Sequence, residues 1–318
     1  VLTTLALKGL DHVVDVCTVH PVWGFINKPG EPERKSWVFG SPTHTTQGSP
    51  AIQASLDIAA ACPDELSPED KYFVENVDIR STIVGGVDVT DRYYGAKNLR
   101  EIYELSDPTY EGRYTTPVLF DTQTKKIINT ESAEIMRILD GKAFEHLAKH
   151  PEFTIHPKDI DMAVIDEEND RMYQAFNNGV YRAGFAQTQI AYHKARKDVI
   201  DYLDYLEERL KTNRFIAGQS FSEADIRAIA TLLRYDSVYV THFKLSEKRI
   251  TDYPTIYSYL RDIWQNVLNQ NAKQFFNETH IKFHYYCSHE KLNPFAIVPF
   301  THKLDLDLPV DRTGVGKQ

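Results

Sequence analysis

The sequence predicts an α/β domain followed by an all-α domain, and three observations carry that prediction. Short apolar runs of strand character concentrate before residue 130, most clearly within 113–132, R-Y-T-T-P-V-L-F-D-T-Q-T-K-K-I-I-N-T-E-S. From about residue 157 strand signals fade and helical stripes take over: Met172, Phe176 and Val180 form one, and Val199, Leu203, Leu206 and Leu210 form another. Residues 141–156 join the two regimes, and 318 residues exceed one typical domain.

Each element follows from local signals. Residues 1–10 read as a helix without an N-cap or a preceding turn, which leads to the expectation that natural sequence precedes Val1. An apolar strand is expected over 13–18, ending at His20-Pro21. Residues 22–90 are rich in Pro, Gly, Ser and Thr, with short helices expected at 51–61 and 68–77; so long a connection is an insertion or a covering loop. A helix over 96–106, strands over 115–120 and 126–129, and a helix over 131–139 complete the first domain, taken as 1–140 with an insertion at about 40–94. The second domain is taken as 157–318. In it, Ser222-Glu223-Ala224-Asp225 is a helix-start box in which the cap side chains satisfy orphan amides. Pro254 opens a further helix, and the Pro-rich tail after Asn293 is expected to lie extended over the surface.

Composition narrows the function classes. A hydrophobic fraction of 42% with 25% charged residues is ordinary for a globular chain. The net charge of −9, with no basic stripe, argues against nucleic-acid partners, and no apolar run is long enough to span a membrane. The cysteines Cys17, Cys62 and Cys287 are widely spaced and odd in number, so a reducing compartment, the cytoplasm, is expected rather than a disulfide framework.

The chemistry concentrates in 113–132. Thr116-Pro117 heads an apolar strand where proline cannot donate to a ladder; a cis bond there leaves the Thr116 N–H and C=O facing outward, available to an extended peptide. Glu131-Ser132 opens a helix whose first amides lack internal partners and can hold a carboxylate, while the Glu131 side chain can pair with an ammonium. Taken separately these are an edge-strand proline and a helix cap. Together they suit a peptide with an extended backbone and a terminal amino acid group, of which glutathione is an example. His280 and His284 share a helical face and His289 follows, but the spacing offers no good third metal ligand and the surroundings are aromatic. Asn277-Glu278-Thr279 matches a glycosylation sequon without any sign of secretion.

Over nearly its whole length the chain resembles the Xi class of the glutathione transferase superfamily, the glutathionyl-hydroquinone reductases, an omega-like group. The landmarks are W-V-F at 37–39, G-A-K-x-x-R-E-I-Y at 95–103, T-x-P-V-L and N-x-E-S within 115–132, N-N-G-V-Y-R-A-G-F-A at 177–186, E-A-D-I-R at 223–227, R-Y-D-S-V-Y-V-T-H-F-K at 234–244, and H-I-K-x-H-Y-Y-x-S-H with N-P at 280–294. The resemblance implies a thioredoxin-like first domain, a helical transferase second domain and a homodimer. It implies glutathione as co-substrate with no metal and no nucleotide, and quinone or hydroquinone conjugates as small-molecule partners. It also implies a glutathione site of Trp37, Arg113, Thr116, Glu131 and Ser132, and an electrophile pocket using the hydroxyls of Tyr181 and Tyr285. In the family a cysteine thiolate attacks the sulfur of a glutathionyl-hydroquinone, and a second glutathione resolves the mixed disulfide. Such a thiolate needs a depressed pKa, usually at a helix N-terminus. The family's cysteine, in C-P-W-A, lies just before the helix that begins this chain, so it is expected upstream of Val1; Cys62-Pro63 lacks that context. The sequence further departs from the pattern at Thr116, where Val is usual, at Ser237, where Pro is usual, and in the long segment between Phe39 and Gly95. Alternatives are a glutathione-binding protein without reductase activity, a structural or interaction module, and a conventional conjugating transferase.

Overall fold

The computed structural model describes residues 1–40, 50–77, 83–84 and 87–316, so part of the expected insertion at 40–94 lies outside the described residues. The chain divides into two compact units that do not follow chain order: one holds Val1, 14–135 and 277–299, the other 2–13, 136–276 and 300–318.

Among the described residues of the first unit the strands form three separate antiparallel pairs: β1 (Gly24–Phe25) with β2 (Lys35–Ser36), β3 (Ile83–Val84) with β4 (Val87–Asp88), and β5 (Leu119–Asp121) with β6 (Lys126–Asn129). Helices α2 (Pro50–Ala61), α3 (Pro68–Val77) and α4 (Leu99–Ser106) fall close to the expected spans. The fourth begins later than periodicity suggests. Gly95 takes a positive φ of 63°, and the Asp91 carboxylate collects the N–H groups of Tyr93, Tyr94 and Ala96 into a turn, leaving Asn98 as the cap that accepts from the Glu101 N–H at 3.2 Å. One apolar cluster gathers Ile26, Val38, Leu99 and Tyr103; a second gathers Val22, Ile52, Val77, Phe283 and Cys287.

The strand expected over 13–18 does not form. Among the described residues it has no ladder partner; the Val13 N–H turns back onto the Leu10 carbonyl, while Cys17 and Val19 lean on the first cluster by their side chains. An apolar run becomes a strand only where a neighbour satisfies its backbone. The strand expected over 115–120 is shortened for a related reason. The Tyr103 hydroxyl takes the Thr115 backbone, donating to its carbonyl at 2.9 Å and accepting from its N–H at 3.2 Å, which removes those groups from any ladder. The tail after Asn293 contains no helix or strand among the described residues, and Arg312 within it is buried, donating to the carbonyls of Leu210 and Asn213.

The second unit is helical. It contains α1 (Leu2–Lys8) and the last turns of α5 (Ser132–Asp140), then α6 (Lys142–Glu145), α7 (Met162–Met172), α8 (Gly179–Gly184), α9 (Gln189–Thr212), α10 (Glu223–Arg234), α11 (Val240–His242), α12 (Pro254–Asp262) and α13 (Gln270–Lys273). The first helix ends where Gly9 adopts a φ of 65°; the Leu10 N–H bonds the Leu5 carbonyl and the Gly9 N–H that of Ala6, the paired bonds of a left-handed C-cap. Both stripes read from the sequence are interior: Met172, Phe176, Val180, Val199, Leu203, Leu206 and Leu210 are all fully buried. The box at Ser222 also forms, with the Ser222 N–H and hydroxyl both donating to Asp225 Oδ2 at 2.9 and 3.0 Å. Asn177-Asn178-Gly179 interrupts the helical period, following a π-helical turn over Tyr173–Asn177 that is closed by the Asn178 N–H on the Tyr173 carbonyl at 2.9 Å.

Candidate functional site

The β5–β6 pair sets the first part of the site. Leu119 lies opposite Asn129, so beyond that pair the chain continues at one end of the hairpin into Pro117 on one side and Glu131 on the other. The Thr116-Pro117 peptide is cis. Thr116, Glu131, Ser132 and Arg113 are exposed, and the Arg113 carbonyl accepts the Tyr110 hydroxyl at 2.8 Å. Glu131 is held as the residue preceding α5: its N–H donates to Asn129 Oδ1 at 2.7 Å, its carbonyl takes the Ile135 N–H, and Asn129 Nδ2 donates onward to Glu134 at 2.5 Å. The first amides of α5 therefore open beside an exposed carboxylate, a pairing suited to an α-amino acid. Glu131 also edges an open cleft of about 340 Å³ walled by Tyr103, Tyr110 and Ile127.

Trp37 is reached from two directions. Its carbonyl accepts the Leu99 N–H at 3.0 Å, and the flanking Val38 and Phe39 bond to His20 and Lys97, so its backbone is stitched into the first cluster. Its half-buried indole stacks on His284 of α14 (Glu278–Ser288), with ring centres 4.5 Å apart at 25°, and meets Trp23 edge-on at 5.8 Å. Asn277 caps α14 by accepting from the His280 N–H at 2.9 Å, which gives the asparagine of the sequon a local purpose.

The histidine face that invited a metal reading is engaged with the backbone. His280 Nε2 donates to the Val19 carbonyl at 2.8 Å, His284 Nδ1 to the Pro21 carbonyl at 2.9 Å, and the Ser288 hydroxyl to the same Pro21 carbonyl at 3.1 Å while accepting from the Trp23 N–H. His280, His284 and Ser288 recur at i, i+4 and i+8, so one stripe of α14 holds residues 19–23 in place. Among the described residues no three potential ligand side chains converge on a metal position.

The two tyrosines belong to different units. In the helical unit Tyr181 is 39% exposed, on α8, its ring 5.4 Å from Phe243 and 6.2 Å from Tyr239. In the other unit Tyr285 is buried on α14, edge-on to His284 and His289. None of the cysteines has the surroundings of a thiolate nucleophile. Burial raises the Cys17 pKa, and burial pushes Cys287 up to about 12, where its sulfur faces the Ala296 carbonyl. Cys62 is exposed at the end of α2, next to Pro63, and neither heads an α-helix.

Sequence reasoning missed Tyr103, which clamps Thr115 beside the cis peptide, and the Trp23–His284–His289 ring set behind Trp37. The visible signals were the tyrosine closing G-A-K-x-x-R-E-I-Y and the i, i+4 spacing of His280, His284 and Ser288.

Comparison with known proteins identifies the family. Residues 182–262 match the family model of the glutathione S-transferase C-terminal domain. The chain is 42% identical over 219 residues to glutathionyl-hydroquinone reductase PcpF of Sphingobium chlorophenolicum, covering 69% of this chain and 68% of that protein. Among solved structures, glutathione-bound YqjG, a glutathione transferase homologue from Escherichia coli K-12, superposes with a TM-score of 0.74 at 34% identity, over 97% of this chain and 82% of that one. Glutathione transferase Xi 1 from Trametes versicolor gives a TM-score of 0.74 at 31% identity over 97% of this chain and 88% of that one. A helical transferase domain, a hairpin carrying Thr116-Pro117 into Glu131-Ser132, and relatives alike across nearly the full chain lead to one assignment: the chain belongs to the Xi-class glutathione transferases, the glutathionyl-hydroquinone reductase family.

Proposed function

We propose that the protein reduces glutathionyl-hydroquinones to hydroquinones at the expense of glutathione. The observation that carries this reading is the hairpin register that brings Pro117 and Glu131 to one end, with Thr116, Glu131 and Ser132 all exposed there. In this reading the Thr116 backbone pairs with the cysteinyl part of glutathione. Ser132 and the first amides of α5 take its γ-glutamyl carboxylate, and Glu131 takes the ammonium. Arg113 supplies a cation for the remaining carboxylate, and Trp37 covers the peptide.

The reaction needs a thiolate, and the surroundings of Cys17, Cys62 and Cys287 argue that none of them is it. By the resemblance, the thiolate is the cysteine of the family's C-P-W-A motif, which that motif sets at the head of α1. That thiolate attacks the sulfur of the conjugate; a sulfur–sulfur bond forms, the aryl carbon–sulfur bond breaks, and its electron pair is protonated at the ring carbon. The Tyr285 hydroxyl, in the unit that also carries Thr116 and Glu131, relays that proton. The thiolate of a second glutathione then attacks the mixed disulfide, forming oxidised glutathione and restoring the cysteine.

The test is hydroquinone release from a glutathionyl-hydroquinone by the natural full-length protein. Turnover should vanish on substituting the family's cysteine at the head of α1 with Ala, and a mass increase of one glutathione should appear on the wild type when the conjugate is added without free glutathione. Substituting Glu131 with Ala should weaken glutathione binding about tenfold, as expected for one lost charged hydrogen bond. Glutathione binding without quinol release would replace this reading with a binding protein; turnover that persists in the cysteine variant would refute the thiolate step.

A further inference from the structure

The environment of Trp37 has a feature that filling a core does not require. Its stacking partner is an imidazole, and that imidazole is aimed. His284 Nδ1 donates to the Pro21 carbonyl at 2.9 Å, which fixes the tautomer and the ring plane, and the plane so fixed lies 25° from the Trp37 indole at 4.5 Å. The acceptor is itself immobilised. The Ser288 hydroxyl reaches the same carbonyl at 3.1 Å, the Trp23 N–H returns to Ser288 at 3.0 Å, and His280 holds the Val19 carbonyl at 2.8 Å.

Two further rings close the arrangement. Trp23 meets Trp37 edge-on at 83°, and His289 stands edge-on to both His284 and Trp23, at 75° and 70°. His289 is buried, and burial lowers its pKa to about 4, so near neutrality it enters the set as an uncharged ring. On the neighbouring face of the same helix, Phe283 and Cys287 do the ordinary work of a core against Val22, Ile52 and Val77. The chain thus uses apolar side chains where α14 fills volume and an oriented imidazole where it meets Trp37.

We propose that His284 is a positioning residue for glutathione, holding the Trp37 indole in its binding orientation through a ring plane set by the Pro21 carbonyl. This rests on the reading that Trp37 covers bound glutathione, and the experiment separates the two. Glutathione affinity is measured by calorimetry on the full chain as wild type, His284→Ala, Trp37→Ala and the double variant, each checked for folding by far-UV circular dichroism. Loss of one oriented aromatic pair corresponds to about three- to tenfold weaker binding for His284→Ala. In the Trp37→Ala background the same change should have no further effect, because the role runs through Trp37. Conservative variants sharpen the result and stand in if His284→Ala fails to fold. His284→Phe, which keeps a ring, should recover part of the affinity, and His284→Asn, which keeps only a donor, should not. In turnover, His284→Ala should raise the glutathione KM while leaving kcat within about twofold. Unchanged affinity in folded His284→Ala overturns the proposal, as does an equal loss with and without Trp37, which would mark a merely structural residue. Unchanged affinity in Trp37→Ala would instead overturn the contact assigned to Trp37.

Discussion

Gly184 has no side chain because there is no room for one: a Cβ built on it would lie 2.2 Å from Cδ1 and 2.4 Å from Cγ of Phe243. Phe243 is fully buried, stacked on Tyr239 at 5.3 Å, and it is also the ring 5.4 Å from Tyr181. Gly184→Ala must therefore displace Phe243, and overpacking of this kind costs about 1–3 kcal/mol. The expected outcome is a lower Tm together with a shifted aromatic signal from Tyr181, read by thermal melts and by NMR of labelled tyrosine; an unchanged Tm would mean that the ring yields freely. At this scale the sequence reveals which residues are unusual more readily than why. The Asn177-Asn178-Gly179 break stands out in the helical period, but its form depends on Asn177 donating to the Arg227 carbonyl and to Thr231 at 3.2 and 2.7 Å, acceptors that only the folded chain brings near. The same holds for His280 and His284. Their shared face is legible from spacing, and the backbone carbonyls that occupy it are not.

Among the elements, α10 shows what a local signature can specify and what it leaves out. The box at Ser222 and Asp225 was readable because it is closed within one turn. The remaining oxygen of Asp225 was not: Oδ1 accepts the Ile216 N–H at 2.9 Å and the Tyr259 hydroxyl at 2.7 Å, which ties the start of α10 to α12. Asp225 is fully buried, and desolvation raises its pKa against those hydrogen bonds. Asp225→Ala leaves the cap, the Ile216 amide and the Tyr259 hydroxyl without their acceptor and should destabilise the helical unit by about 3–5 kcal/mol. Chemical denaturation of the two proteins measures it; a loss below about 1 kcal/mol would mean that water replaces the carboxylate. Strands were the least legible elements for the converse reason. The hairpin of 119–129 could be located because both of its strands are adjacent in sequence, whereas 13–18 has the composition of a strand and forms no ladder among the described residues.

At the scale of the whole molecule, each unit has its own core, and the helical unit adds a chain of buried charge that ties elements distant in sequence. Lys8, at the end of α1, is 2% exposed and donates to Asp140 at 2.9 Å and to the Phe153 carbonyl at 3.0 Å. Asp140 also accepts from Thr154 and faces His156 at 3.4 Å; His156 Nε2 donates to Glu223 at 2.9 Å, and Glu223 accepts from Arg137 at 2.8 Å. Arg227 adds an ion pair to Glu223 at 2.5 Å. The Asp140 and Glu223 carboxylates raise the His156 pKa to about 9. Glu223, against the desolvation of its burial, is held at about 2 by the His156 hydrogen bond and the two guanidinium groups. The signs follow from which form each state favours. His156 binds its proton more tightly when folded, so its contribution is complete below its ordinary value of about 6.5 and is lost as pH rises through about 9. Glu223 releases its proton more readily when folded, so its contribution is complete above about 4.5 and is lost as pH falls through about 2. The network should therefore stabilise the helical unit most between about pH 4.5 and 6.5. His156→Gln isolates the alkaline arm: the Tm difference between wild type and variant should be largest near pH 6 and shrink steadily toward pH 10. A difference that stays constant over that range would mean that His156 contributes by packing and not by its charge.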